Sequence, residues 1–296
     1  MRNQLFPLSN LIRWYVSVTP EHRGKDRLRK LTLWPQLKHL DFVEVSLFPY
    51  KKLRIVIYPK QEIGRAIFLN GLYEKDYALK FCKLIRPGDI ILDVGANSGQ
   101  YTLLGSLLTG EKGWVYAFEP APHKYQELVD HVELNHLENV SCLPYALSNV
   151  RGKAYLNLQK DTNDGMHHLV TVQDADQQVV EVEAFTLNEC LNSIVSRTPI
   201  DLIKIDVEGW EEAVFQGGSK VFAQTKPPTI FFESIEEHAN RFGFSARRVQ
   251  HLLEEHGYQL FSKKHFSSRW APLSSETEQI NLIAIHPSRA DLIRAL

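Results

Sequence analysis

Carboxylates at the ends of short apolar runs are the residues of this chain whose types and spacing could do chemistry. Asp93 closes "IILDVG", Glu119 closes "WVYAFE", Asp206 and Glu208 follow "DLIKI", and Glu233 closes "TIFFE". A carboxylate in a half-buried crevice is costly unless something pairs with it, so a cluster of them calls for cations or hydrogen-bond donors close by.

The turn after Asp93, "DVGANSGQYT", narrows the ligand. Its glycines are spaced Gly95-x-x-x-Gly99, and Asn97 stands where the second glycine of a dinucleotide-binding turn belongs. That counts against a nicotinamide-dependent oxidoreductase. A pyrophosphate needs bare backbone N–H groups at a helix N-terminus, whereas an acid beside the turn suits a cation such as an ammonium group. Glu119 stands 26 residues beyond Asp93, where a carboxylate accepts both vicinal hydroxyls of a ribose. Adenosine with a cationic amino-acid tail meets both demands, and that ligand is S-adenosylmethionine.

Such residues need elements to hold them together. "DIILDVG", "GWVYAFEP", "NVSCLPYALS", "PIDLIKIDVEG" and "PTIFFES" read as strands, with helices over 101–109 and 122–135, from Trp210 and over about 245–256. Short apolar strands alternating with helices predict parallel βαβ units in a doubly wound α/β sheet, with ligands at the carboxyl ends of the strands. Residues 41–59 alternate apolar and polar side chains and predict a hairpin. The expected organisation is therefore an N-terminal cap over residues 1–70 and a catalytic domain over 71–296.

"DVGANSGQYT", "FEP" and "IDLIKIDVEGWE", together with "GLYEKD", "ALSN" and "NLIAIH", resemble the motifs of the FkbM-type methyltransferases, a branch of the class I S-adenosylmethionine-dependent enzymes. The likeness covers about residues 71–286. It implies a Rossmann-like seven-stranded sheet with an antiparallel last strand, "YQLF" and "INLIAIH" being the closing pair. It also implies methylation of a hydroxyl on a small molecule, sugar or natural-product scaffold. Carried onto this chain, it assigns cofactor binding to Asp93, Gly95, Ala96, Asn97, Gly99, Tyr101 and Thr102, and to Glu119 and Pro120. The alternative for the turn is a structural acid in a tight strand-to-helix connection; for Glu119 it is a helix-capping acid. Ala146 and Leu147 are expected to flank the adenine, and Glu74 to line the methionine end.

Lys204, Asp206 and Glu208 alternate and are expected on one face of a strand. Asp206 has four readings: general base, acceptor for the methionine amine, metal ligand with Glu208 and Glu233, or member of an ion network with Lys204 that holds the strand end. Asp206 and His167 are the catalytic candidates. No metal is assigned. His167 and His168 lie in the polar stretch "DTNDGMHHLV", His123 follows "FEPAP" and His238 follows "FFESIEE"; an exposed histidine without a role is the alternative for each. Phe266 and Trp270, in the polar connection over 262–278, offer rings that could stack on an acceptor.

Composition excludes other classes. In a chain of 296 residues, 34 Lys and Arg against 35 Asp and Glu leave no net field that would recruit nucleic acid. Cys82, Cys142 and Cys190 form no CxxC pair, which points to a reducing, cytoplasmic setting and to buried thiols. The first twenty residues are interrupted by Pro7, Asn10 and Arg13 and fall short of the roughly 18 unbroken apolar residues of a membrane span. They also lack a signal-cleavage pattern. An amphipathic helix packed on the domain is expected there, with membrane contact through Leu11, Trp14 and Tyr15 as the alternative.

Overall fold

The computed structural model describes residues 7–19, 23–28, 31, 33–37, 39–158, 168–170, 179–263, 269–273 and 281–296. The strands, in chain order, are β1 (Val43–Ser46), β2 (Arg54–Ile57), β3 (Ile90–Val94), β4 (Trp114–Phe118), β5 (Val140–Leu143), β6 (Ala146–Ser148) and β7 (Gly152–Asn157). They continue with β8 (His168–Val170), β9 (Val179–Thr186), β10 (Leu202–Ile205), β11 (Thr229–Glu233), β12 (Gln259–Lys263), β13 (Trp270–Pro272) and β14 (Asn281–Ile285).

Among the described residues the large sheet has eight strands, in the order β13-β12-β14-β11-β10-β3-β4-β5. From β5 to β11 all neighbours are parallel. β14 then enters antiparallel between β11 and β12, so the last strand runs as expected. The eighth strand is a correction to the seven implied by the sequence. The polar connection after β12 holds β13, which pairs antiparallel with β12 through Lys263↔Trp270 to Phe261↔Pro272.

Strand composition accounts for this layering. Every residue of "IILDV" in β3 and "LIKI" in β10 is buried, as parallel strands covered on both faces require. Ile91, Leu202 and Phe231 face one apolar cluster with Phe81 and Leu103, while Leu92, Ile203 and Phe232 face another with Val214, Val249 and Leu253. The helix Gln100–Thr109 covers the first face, and Gly105 lets it approach closely: a Cβ there would stand 3.3 Å from both Ile91 and Val115 side chains.

The N-terminal residues share that first cluster, since Leu33, Leu37, Val45, Ile55 and Phe68 pack with Phe81, Ile91 and Phe231. The hairpin β1–β2 forms as predicted, in register from Val43↔Ile57 to Ser46↔Arg54. The helix Pro7–Val18 buries Arg13, whose Nε donates to the Phe68 carbonyl at 3.0 Å and whose guanidinium lies 4.6 Å from the Phe68 ring centre. Leu11 and Trp14 on the same helix are exposed. Among the described residues, no helix is long and apolar enough to cross a membrane.

"NVSCLPYALS" is not one strand. It divides into β5 in the large sheet and β6, which opens a second sheet of order β6-β9-β7-β8 that the sequence reading did not anticipate. β6 runs parallel to β9 through Ala146↔Ala184 and Leu147↔Phe185. Thr186 ends β9 and caps the helix Leu187–Ser193 in a reciprocal box with Glu189.

Candidate active site

The turn between β3 and its helix bends where glycine and asparagine permit left-handed backbone: Gly95 at φ 78°, Asn97 at φ 50° and Gly99 at φ 94°. This bend turns the Asn97 N–H toward β4, where it donates to Glu119 Oε2 at 2.7 Å. Glu119 Oε1 accepts from the Ala121 N–H at 2.8 Å. Two backbone donors thus fix the plane of the carboxylate and leave its remaining lone pairs available. Burial pushes Glu119 up to about 7, with the two N–H groups pulling it back.

A cleft of about 1080 Å³, open to solvent, lies at the carboxyl ends of these strands. Glu74, Gly95, Ala96, Asn97, Tyr101, Glu119, Pro120, Ala146, Leu147 and Asp206 all line it, so most of the predicted binding residues are brought together. Three residues other than glycine that line it hold left-handed backbone, namely Glu74 (φ 45°), Asn97 and Glu208 (φ 55°). Such strain gathers at functional sites because only a surrounding framework keeps it.

Asp93, Gly99 and Thr102 do not line the cleft. Asp93 is 1% exposed and accepts from Thr102 Oγ1 at 2.6 Å, while its Oδ1 has no hydrogen-bond partner among the described residues. The cation that Asp93 calls for belongs to the protein: Lys204 lies directly opposite it in the β10–β3 register. The expectation that Asp93 meets a ligand ammonium is therefore corrected. Its side chain shares the Ile91 face and points under the helix, where burial raises its pKa and Lys204 opposes the rise. Gly99 and Thr102 shape the turn from behind.

Lys204 Nζ also donates to Asp206 Oδ2 at 2.8 Å and lies 4.6 Å from the Tyr101 ring centre. Burial pulls the ammonium down, but Asp206 and then Asp93 outweigh it, so Lys204 stands above its ordinary value. Asp206 is thus a cleft-lining carboxylate held by a buried lysine. The strand itself ends at Ile205, so the expected alternation does not carry Glu208. A turn with left-handed Glu208 and Gly209 (φ 101°) carries it instead, and buried Glu211 Oε1 pins that turn by accepting from the Val207 N–H at 3.0 Å. A Cβ at Gly209 would come within 2.5 Å of the His238 backbone carbonyl, so the turn presses on the helix Glu236–Asn240.

That contact brings His238 to the strand ends. Its Nδ1 lies 3.2 Å from Glu233 Oε2 and 3.4 Å from Glu208 Oε2. The oxygen cluster expected from Asp206, Glu208 and Glu233 is thereby regrouped: Asp206 turns to Lys204, and His238 joins the two glutamates. Burial, then Asp206 and Glu233, push Glu208 up to about 10. Burial also raises Glu233, against the hydrogen bond with His238.

His123 is exposed at the start of the helix Pro122–Leu134. His168 opens β8 in register with Asn157, and His167 lies outside the described residues. Phe266 also lies outside them. Trp270 is 9% exposed and packs beside Tyr77 with ring centres 5.9 Å apart, so it closes the core rather than offering a ring to an acceptor.

Two further residues act on the site without having been read in the sequence. Gln100 accepts from the Tyr73 N–H at 2.7 Å and donates to the Tyr73 carbonyl at 3.1 Å, which sets the backbone that carries Glu74. Asn281 Nδ2 donates to Glu74 Oε1 at 2.6 Å. Burial, then Asp206, push Glu74 up to about 7. A polar residue opening an apolar strand is the one signal that marked Asn281; Gln100 read as an ordinary helix residue.

A parallel sheet in this order, with an antiparallel strand inserted between β11 and β12 and a cleft over a glycine turn and a strand-end glutamate, is the architecture of the class I methyl-donor enzymes. Residues 93–260 match the family described as the Methyltransferase FkbM domain, and the chain belongs to that family. S-adenosylmethionine is its cofactor. A protein-L-isoaspartate O-methyltransferase of Fervidobacterium nodosum is 34% identical over 59 residues, 20% of this chain and 30% of that protein. An FkbM methyltransferase structure from Methylobacillus flagellatus is 14% identical at a TM-score of 0.43, covering 68% of this chain and 44% of the other. A Streptococcus mutans protein in complex with SAH is 10% identical at a TM-score of 0.40, covering 70% of this chain and 93% of the other. The matched part is therefore less than half the length of the first two relatives.

Proposed function

We propose that the protein is a cytoplasmic S-adenosylmethionine-dependent O-methyltransferase whose acceptor is a hydroxyl of a sugar, glycan or natural-product scaffold. The observation that supports this reading best is the charge of the cleft. Among the described residues, Glu74, Glu119, Asp206, Glu208 and Glu233 line it against one lysine, Lys204. Such a surface favours a ligand that brings a sulfonium and an ammonium, and disfavours a pyrophosphate. Glu119 accepts the ribose hydroxyls, Ala146 and Leu147 flank the adenine, and Glu74 faces the methionine end. The unpaired thiols of Cys82, Cys142 and Cys190 support the cytoplasmic setting.

In the reaction the acceptor oxygen forms a bond to the sulfonium methyl carbon while the carbon–sulfur bond breaks. Its electron pair goes to sulfur, leaving neutral S-adenosylhomocysteine. The hydroxyl proton goes to Asp206, which lines the cleft with its carboxylate steadied by Lys204. Alignment of oxygen, methyl and sulfur can contribute up to about 7 to 11 kcal/mol to lowering such a barrier. No nucleic acid or membrane enters this scheme.

The test is incubation with methyl-labelled S-adenosylmethionine and a panel of sugars, glycans and polyhydroxylated natural products, with the product read by mass spectrometry. Label on a hydroxyl oxygen is expected. Label on nitrogen or carbon would overturn the O-methyl reading. Cofactor binding without transfer to any acceptor in a fractionated extract of the source would mark an inactive binding module.

A further inference from the structure

The Glu208, Glu233 and His238 group is not used by the mechanism above, and its geometry asks for an occupant. One ligand atom from each lies within 4.8 Å of the other two. The Nδ1 of His238 faces both carboxylates, at 3.2 and 3.4 Å, yet one ring nitrogen carries at most one proton and can donate to only one of them. The second carboxylate is left against a lone pair or a shared hydrogen. Those separations are also the edges of a coordination polyhedron: a cation with bonds of about 2.1 to 2.3 Å sets neighbouring ligands about 3.0 to 3.3 Å apart in an octahedron.

The charge balance of the cleft leads to the same place. Among the described residues five acids line the cleft against one lysine, so its own side chains supply little cationic charge. Lys204 serves Asp206 and Asp93, and backbone N–H groups serve Glu119. Asn281 serves Glu74. Glu208 and Glu233 have His238 as their shared close contact, with Lys204 acting on both from farther off. The two glutamates and His238 come from elements that the tight packing of Gly209 on His238 holds together.

We propose that Glu208, Glu233 and His238 bind one first-row divalent cation, which holds the methyl acceptor through two adjacent oxygens, as in a vicinal diol or a hydroxy-carbonyl group. An imidazole with two carboxylates suits Mn²⁺, Fe²⁺ or Zn²⁺ better than Mg²⁺ or Ca²⁺, which prefer oxygen throughout. Three protein ligands leave coordination positions open on the cleft side, where Glu208 and Glu233 line the same space as Asp206. A hydroxyl bound there has a lowered pKa, so its proton passes to Asp206 more readily. The role for the cation rests on the O-methyltransferase reading; the binding of the cation does not.

The experiment is an electron paramagnetic resonance titration of the full chain with Mn²⁺ in the presence of S-adenosylhomocysteine, with calorimetry of S-adenosylhomocysteine in parallel. One equivalent of Mn²⁺ is expected to bind, and pulsed measurements should show coupling to an imidazole nitrogen. His238→Gln should weaken Mn²⁺ by roughly 100-fold or more, since loss of even an outer-shell partner costs 10- to 100-fold. It should leave S-adenosylhomocysteine affinity within about twofold. Glu208→Gln should weaken the metal similarly, and the nitrogen coupling in the unaltered protein decides the matter if either variant fails to fold. Absence of stoichiometric Mn²⁺, absence of nitrogen coupling, or unchanged binding in folded variants would overturn the site. Intact S-adenosylhomocysteine binding without metal overturns this inference alone, whereas metal binding without methyl transfer to any hydroxyl overturns the functional reading and the cation's role in it but leaves the metal site standing.

Discussion

A Cβ at position 95 would overlap the backbone carbonyl oxygen of Asp206, so the ends of β3 and β10 meet main chain to main chain. Only glycine allows this approach, and Gly95 also holds φ 78°. The left-handed backbone alone costs another residue about 1 to 3 kcal/mol, and here the overlap with rigid backbone adds to it. Gly95→Ala should therefore lower the melting temperature by more than about 5 °C and weaken cofactor binding. A variant that melts with the unaltered protein would show that the strand ends are not in contact.

Glu119 should carry the ribose. Glu119→Ala should weaken S-adenosylmethionine by about 1.5 to 3 kcal/mol, or roughly 10- to 150-fold, the scale of hydrogen bonds to a charged group. Since burial holds its carboxyl near 7 in the free site, binding should strengthen as pH rises toward about 7 and level off above it. The sign for stability is the reverse. A folded pKa raised above the ordinary 4.5 makes the contribution of Glu119 to the cofactor-free fold greatest below that value, and it is lost as pH rises through about 7. Calorimetry between pH 5.5 and 8 on the unaltered protein and Glu119→Gln checks this; an unchanged pH profile in the variant would assign the titration to another group.

At Asp206, binding and chemistry separate. Asp206→Asn keeps the shape but removes the basicity, so turnover should fall about 100-fold or more with cofactor affinity nearly constant. Buried Lys204 would lose the carboxylate to which it donates, so some loss of melting temperature accompanies the change. If affinity fell instead and saturating cofactor restored turnover, Asp206 would be binding the methionine amine.

Gln100 should act through Tyr73 on Glu74. Gln100→Ala leaves the Tyr73 N–H and carbonyl without their partner and should cost about 1 to 3 kcal/mol of stability. It should also weaken the cofactor, while Gln100→Glu, which keeps the acceptor for the N–H, should recover part of the affinity. Equal affinity in all three proteins would detach Gln100 from the site.

The local signals in the sequence were sufficient for the sheet and the turn. Runs such as "IILDV" and "LIKI", the glycines at 95 and 99, and the amphipathic helices are short-range patterns, because strand burial, left-handed backbone and helix capping each depend on residues a few positions apart. They placed Glu119 at a strand end and gathered most of the residues that line the cleft. Only the tertiary structure decided which acid faces which partner. Asp93 looked exposed to a ligand cation, but the β10–β3 register sets Lys204 opposite it. Glu208 looked like the next member of a strand, but the chain turns left-handed there and hands it to His238. Pairings of this kind join groups far apart in sequence, and they follow from how strand ends and helices pack in space, which no local periodicity records.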